Sequence, residues 1–169
     1  MLKNAKTLIF STALLMLSAC GFHFQNGQLV PKELQTIALE SGDQYDSMTI
    51  AMRKQLRLNN IKIVDADAGV PVLRLNKTGS TDKVASVFKQ GREAEKILTV
   101  QVEASIQMPN HTVYPLNAKV NRTFFDNSRA ALAKYNEREM ILNDMREQAA
   151  RQLISKMVAV GHKAKTDQK

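Results

Sequence analysis

Leu98, Val100, Val102, Ala104, Ile106 and Met108 alternate with Thr99, Gln101, Glu103, Ser105 and Gln107. A period of two buries one set and leaves the other in water, as in an antiparallel strand covered on one side. Pro109-Asn110 supplies a turn, after which Tyr114, Leu116, Ala118, Val120 and Phe124 alternate with Asn117, Lys119, Asn121 and Thr123. The two runs predict a long hairpin. Upstream, Gln35 to Glu40 reads as a short strand, ended by Ser41-Gly42-Asp43 turn chemistry. Met48, Met52 and Leu56, with Ala51 beside them, then recur at helical spacing. Asp46 or Ser47 can cap that helix by accepting from its free N–H groups, and Asn59-Asn60 suits its end. Ile61–Val64 and Val70–Asn76 are β-branched-rich pieces split by 65–69, counted together as one interrupted strand. Pro71 belongs at a strand start or bulge, because it cannot donate to a ladder.

The last periodic segment is a helix. Ile141, Met145, Ala149 and Leu153 step by four, joined by Leu142, Ile154, Met157 and Val158. It runs from about Arg129 to Val158, with Asp126-Asn127-Ser128 offering a cap and Gly161 ending it. The order is therefore β-α-β-β-β-α. Each amphipathic helix needs its apolar face covered, and so does the sheet. The simplest arrangement is a two-layer α+β domain, a four-stranded, mainly antiparallel sheet with both helices on one face. The opposite face carries Thr99, Gln101, Glu103, Asn117, Lys119 and Asn121, open to water or a partner.

Composition narrows the class. With 44% hydrophobic and 24% charged residues, most of the 169-residue chain should fold, as one domain. A lone Cys excludes an internal disulfide and any cysteine-built zinc site. The net charge of +8 points to an anionic partner. Trp is absent and aromatics are 5%, so a base-stacking surface, and with it a nucleic-acid partner, is not expected.

The N-terminus changes the picture more. Lys3 and Lys6 precede an apolar run from Leu8 to Leu17, interrupted by Ser11 and Thr12. A bilayer span needs about twenty apolar residues, so this is a signal-peptide core. It closes on Leu17-Ser18-Ala19-Cys20, a pattern that resembles the lipobox of bacterial lipoproteins. The resemblance implies cleavage before Cys20 and acylation of that residue, and Gly21 in place of Asp resembles the signal for sorting to the outer membrane. Residues 1–19 are then a leader and 20–160 a single domain that begins with a Gly21–Pro31 tether. Residues 161–169 are expected as a flexible polar tail.

Catalytic patterns are missing. His23, His111 and His162 lie far apart in sequence, without carboxylates at metal-ligand spacing. No GxSxG, P-loop or GxGxxG run occurs. Glu137 and Glu139 read as a solvated helix face, and the methionines outside the leader mostly as core packing. Neither an enzyme nor a metal or cofactor is expected.

Several stretches together resemble the LPS-assembly lipoprotein family (LptE). They are Cys20-Gly21-Phe22-His23, Leu39-Glu40-Ser41-Gly42-Asp43 and Arg53-Lys54-Gln55-Leu56-Arg57-Leu58-Asn59, then Ala85-Ser86-Val87-Phe88-Lys89-Gln90-Gly91. Val113-Tyr114-Pro115-Leu116-Asn117-Ala118-Lys119-Val120, Phe124-Phe125-Asp126-Asn127 and Ala131-Leu132-Ala133-Lys134 follow in order. The resemblance implies an outer-membrane lipoprotein, anchored by lipid on Cys20, that plugs an LptD-like LPS-transport β-barrel one-to-one and helps it assemble. It also implies binding of lipopolysaccharide for delivery to the outer leaflet. Its LPS-binding positions map onto Lys89 in the hairpin loop and Lys134 at the start of the last helix. An Arg is associated with the hairpin position. Lys89 cannot make the planar bidentate fork of an Arg, and Arg92, three residues on, is a further candidate. A second class stays open, an envelope scaffold that binds another protein and never touches LPS. Co-purification with a large barrel separates the two.

Overall fold

A computed structural model of the chain describes residues 30–87, 93–127 and 130–166. After a single 3-10 turn at Lys32–Leu34, the elements are β1 (Thr36–Ser41), α1 (Ser47–Leu58), β2 (Lys62–Val64), β3 (Val72–Val87), β4 (Glu93–Gln107), β5 (Val113–Asn127) and α2 (Ala131–Thr166). They form one sheet in the order β2-β1-β3-β4-β5 with both helices on one face. The α+β class and the paired helices agree with the sequence. The strand count does not: the sheet has five strands, not four.

The extra strand comes from the interrupted segment. Lys62–Val64 pairs with one side of β1, and Val72 onward with the other, both parallel to it. Val64 and Val72 both stand level with Ala38, so the chain keeps its direction but steps sideways across β1 through 65–71. Local pattern carries the direction of a strand but not this lateral step of two strand spacings, about 10 Å. Pro71 sits just before β3, where no ladder donor is required, and its carbonyl accepts from the Ala38 N–H at 2.9 Å.

The caps of α1 follow from its ends. Asp46 accepts from the Met48 N–H at 3.0 Å, which satisfies one of the four orphan donors. At the other end Asn60 has φ 58°. The Ile61 N–H reaches Leu56 O and the Asn60 N–H reaches Arg57 O, each at 3.0 Å. That pair of bonds is a Schellman ending with Asn in the left-handed position, and it delivers Ile61 into the core.

β3, β4 and β5 form an antiparallel meander. Leu98, Val100, Val102, Ala104 and Ile106 of β4 and Leu116, Ala118, Val120 and Phe124 of β5 are buried against the helices. A bulge between Leu75 and Lys77 changes the alternation of β3, so Thr78, Ser80 and Asp82 take the side that Leu73 and Leu75 hold earlier. From Asn76 to Val87 every β3 side chain is exposed. β4 pairing, rather than burial, keeps that half of the strand in the sheet.

The expected end of the last helix at Gly161 is not observed. α2 is 36 residues long and continues to Thr166, spanning about 54 Å. A Cβ at Gly161 would stand 2.6 Å from Leu34 Cδ1 and 3.2 Å from Pro31 Cγ. The glycine is there for close approach, letting the helix lie on the segment that enters the domain. The start also differs by two residues, since Asp126 and Asn127 belong to β5.

Candidate functional site

Phe124, 2% exposed, is the last core residue at one end of the sheet. Beyond it, the space between the sheet and the first turns of α2 is filled with charge. Lys96 is in register with Phe124 and keeps the inward side that Leu98 and Val100 occupy. Its Nζ donates to Asp126 Oδ2 at 2.6 Å. That bond holds the Asp126 carboxyl below its ordinary range, against partial desolvation and with help from the charges of Lys96 and Lys134 and the Asn127 backbone.

Lys134, in the first turn of α2, reaches down to the same place. Its Nζ lies 5.5 Å from the centroid of the Phe124 ring, within cation–π range, and donates to Glu137 Oε2 at 2.8 Å. A cation at a helix start opposes the positive end of the macrodipole, and Glu137, Asp126 and the ring face offset that cost. One turn on, Arg138 contacts Glu139 at 3.2 Å and, across to β3, Asp82 at 3.9 Å. The side chains of Lys134, Lys96 and Arg138 are 25%, 26% and 30% exposed, whereas Lys54, Arg74, Arg122 and Arg151 in the other ion pairs are 41–57% exposed. The three cations are drawn into the structure rather than displayed on it.

Exposed apolar side chains gather at the same end. Ile97 and Phe125 lie on the polar face of β4 and β5, Val84 and Val87 on the outer part of β3, and Leu132 and Tyr135 on α2. Cations able to make charge-assisted bonds to phosphate are thus set among uncovered hydrocarbon. Each described cation of the cluster already faces a carboxylate.

Lys89 and Arg92 lie outside the described residues, as does Cys20. The strands on either side of that hairpin loop end at Val87 and begin at Glu93, level with Asp126 and Asn127. Those strand ends therefore stand at the end of the sheet where Lys134 sits. Sequence reading missed Lys96, Phe124 and Arg138 as neighbours of Lys134. A lysine in the inward alternation, two residues before Leu98, was the available signal. Among the described residues no group of three His, Cys, Asp or Glu could hold a metal ion, and no helix is long and apolar enough to cross a membrane.

The lipopolysaccharide-assembly family model, LptE, matches residues 34–157, which include both helices' core stripes and the charged end. The chain belongs to the LptE family. It is 44% identical over 155 residues to the LPS-assembly lipoprotein LptE of Photorhabdus laumondii, covering 91% of this chain and 85% of that one. Among solved structures, the rare lipoprotein B from Shewanella oneidensis superposes with a TM-score of 0.71 at 35% identity, covering 77% of this chain and 98% of that chain. A minor lipoprotein from Acinetobacter baumannii shares the fold alone, with a TM-score of 0.59 at 16% identity over 75% of this chain and 92% of that one. LptE membership assigns the protein a role in lipopolysaccharide assembly and places it among lipoproteins rather than in a known enzyme family.

Proposed function

We propose that the protein is an outer-membrane lipoprotein, anchored through Cys20, that seats in the lumen of an LptD-like LPS-transport barrel and binds lipopolysaccharide for delivery to the outer leaflet. The observation that carries the LPS reading is the charged end, where half-drawn-in Lys96, Lys134 and Arg138 adjoin exposed apolar side chains. Phosphate bound to hydrocarbon is the chemistry of lipid A, and such an end suits both parts. The open sheet face of Gln101, Glu103, Asn117, Lys119 and Asn121 suits a polar lumen. Lys89, with Arg92 three residues on in sequence, joins Lys134 in this reading because the strands that flank it in sequence end beside that helix start.

The test is the double change Lys89→Asp and Lys134→Asp in the full-length protein. Binding of lipopolysaccharide should weaken at least several-fold, and the loss should shrink at high salt as screening grows. Unchanged affinity would return both lysines to a solvated or structural role. Mass spectrometry of the mature protein should find acyl chains on Cys20, and an unmodified N-terminus upstream of it would refute the anchor. One observation favours the second reading, an envelope scaffold that binds another protein and never touches LPS: Lys134 is already paired with Glu137. That reading requires that the unaltered protein neither co-purifies with a large barrel nor binds LPS.

A further inference from the structure

We propose that Lys96 is the second cation of the Lys134 site, and that Asp126 and Glu137 occupy the place that a phosphate of a phosphorylated amphiphile takes. The inference rests on the reading that Lys134 contacts such a ligand. Lys96 on β4 stands in register with Phe124, and the Lys134 Nζ, from α2, lies 5.5 Å from the centroid of that ring. Asp126 is bonded to Lys96 at 2.6 Å, and the charges of both lysines lower its carboxyl. Glu137 accepts from Lys134 at 2.8 Å. Each carboxylate carries one charge and two oxygens. A phosphate monoester carries about −1.5 to −2 charges and three acceptor oxygens, so one group can answer both ammonium groups together.

Stability alone does not explain the arrangement. The inward positions of β4 are Leu98, Val100, Val102, Ala104 and Ile106, all buried and apolar. Continuing that alternation calls for an apolar residue at 96, which would avoid the desolvation cost of a drawn-in charge. The chain instead places a lysine there and supplies a carboxylate to match it. Both lysine side chains are only about a quarter exposed, and such partial exclusion of water strengthens their attraction for an anion. The carboxylates neutralise the two lysines without ligand and give way when the phosphate arrives.

This predicts opposite signs for neighbouring substitutions. The full-length protein in non-ionic detergent would be titrated with bisphosphorylated lipid A and, separately, with the same lipid after dephosphorylation. Lys96→Gln should weaken binding of the bisphosphorylated form at least threefold. Asp126→Asn and Glu137→Gln should each tighten it at least threefold, with no change toward the dephosphorylated form. A merely structural cluster gives the other result: Asp126→Asn lowers the thermal midpoint and leaves affinity unchanged or weaker. Should Asp126→Asn fail to fold, Glu137→Gln, a change on the helix surface, carries the same sign test. Lys134→Gln separates the levels. If it weakens binding while Lys96→Gln and the two carboxylate variants leave affinity as it was, the inference falls and the LPS reading stands. If Lys134→Gln has no effect either, both fall.

Discussion

Replacing Gly161 with Ala should destabilise the protein, although in most helix interiors the same change stabilises. Alanine is favoured over glycine there by about 0.5–1 kcal/mol. Here the new methyl would stand 2.6 Å from Leu34 Cδ1 and 3.2 Å from Pro31 Cγ. Leu34 is fully buried, so its methyl cannot swing out into solvent. Overpacking of this kind costs about 1–3 kcal/mol, which exceeds the propensity gain and leaves a net loss of about 1 kcal/mol. For a chain of this size, that lowers the thermal midpoint by about 2–4 °C. The contact can be isolated by a cycle. Leu34→Ala alone should cost about 2–5 kcal/mol, but it also removes the clashing methyl. In that background Gly161→Ala should stabilise by about 0.5–1 kcal/mol, since only the propensity gain remains. The reversal of sign, followed by far-UV circular dichroism on heating, is a coupling between two residues 127 positions apart in sequence. A higher midpoint for Gly161→Ala in the unaltered background would refute the close approach and leave 161 an ordinary helix-interior position.

Asp46→Ala should lower stability by about 1 kcal/mol through loss of the bond to the Met48 N–H, and Asp46→Ser should recover most of it; the thermal midpoints of the two variants check this. Acid sensitivity should depend on Asp126. Its carboxyl is lowered in the folded state, so its contribution is present above the ordinary value of 3.8 and is lost as pH falls through the lower folded value. Urea midpoints measured across the acid range should fall less steeply for Asp126→Asn than for the unaltered protein, and superimposable slopes would refute the assignment.

The parts of the fold legible in sequence are those where one residue's neighbours suffice. The β4–β5 hairpin was readable because its inner face is apolar and its outer face polar without interruption from Leu98 to Ile106. The start of α1 was readable because Asp46 does its work within two residues of itself. The five-stranded count was not, because β2 and β3 differ in which side of β1 they occupy, and nothing within 61–76 encodes that side. The outer half of β3 was invisible for another reason. Asn76–Val87 has no buried side chain, so periodicity has nothing to register, and the strand exists through backbone pairing with β4. Gly161 misled because the same residue serves helix ends and close helix contacts, and only the position of Leu34 distinguishes the two. At the candidate site, Lys134 was found by resemblance, while Lys96 fell outside a strand that the apolar pattern began at Leu98. By its place in sequence Asp126 suits a cap for the next helix, whereas its carboxylate faces Lys96.

The two ends of the molecule are built on different physical terms. Where Val30 and Leu34 enter, buried apolar groups meet α2 closely enough to require a glycine at 161. Where α2 begins, the sheet and helix are joined by ion pairs around a single ring. Lys134 and Gly161 stand on one helix, about 40 Å apart at 1.5 Å per residue. On the proposed reading, the lipid on Cys20 pulls on the chain just before Val30, at the end where hydrocarbon packing resists it. The cations then lie a distance from the point of entry comparable to the full thickness of a bilayer, about 40–45 Å. Ion pairs suit that far end because they can exchange one anion for another without opening a core. A hydrocarbon core could not accept a phosphate there without leaving it unpaired, and an unpaired buried charge is far costlier than an exchanged one.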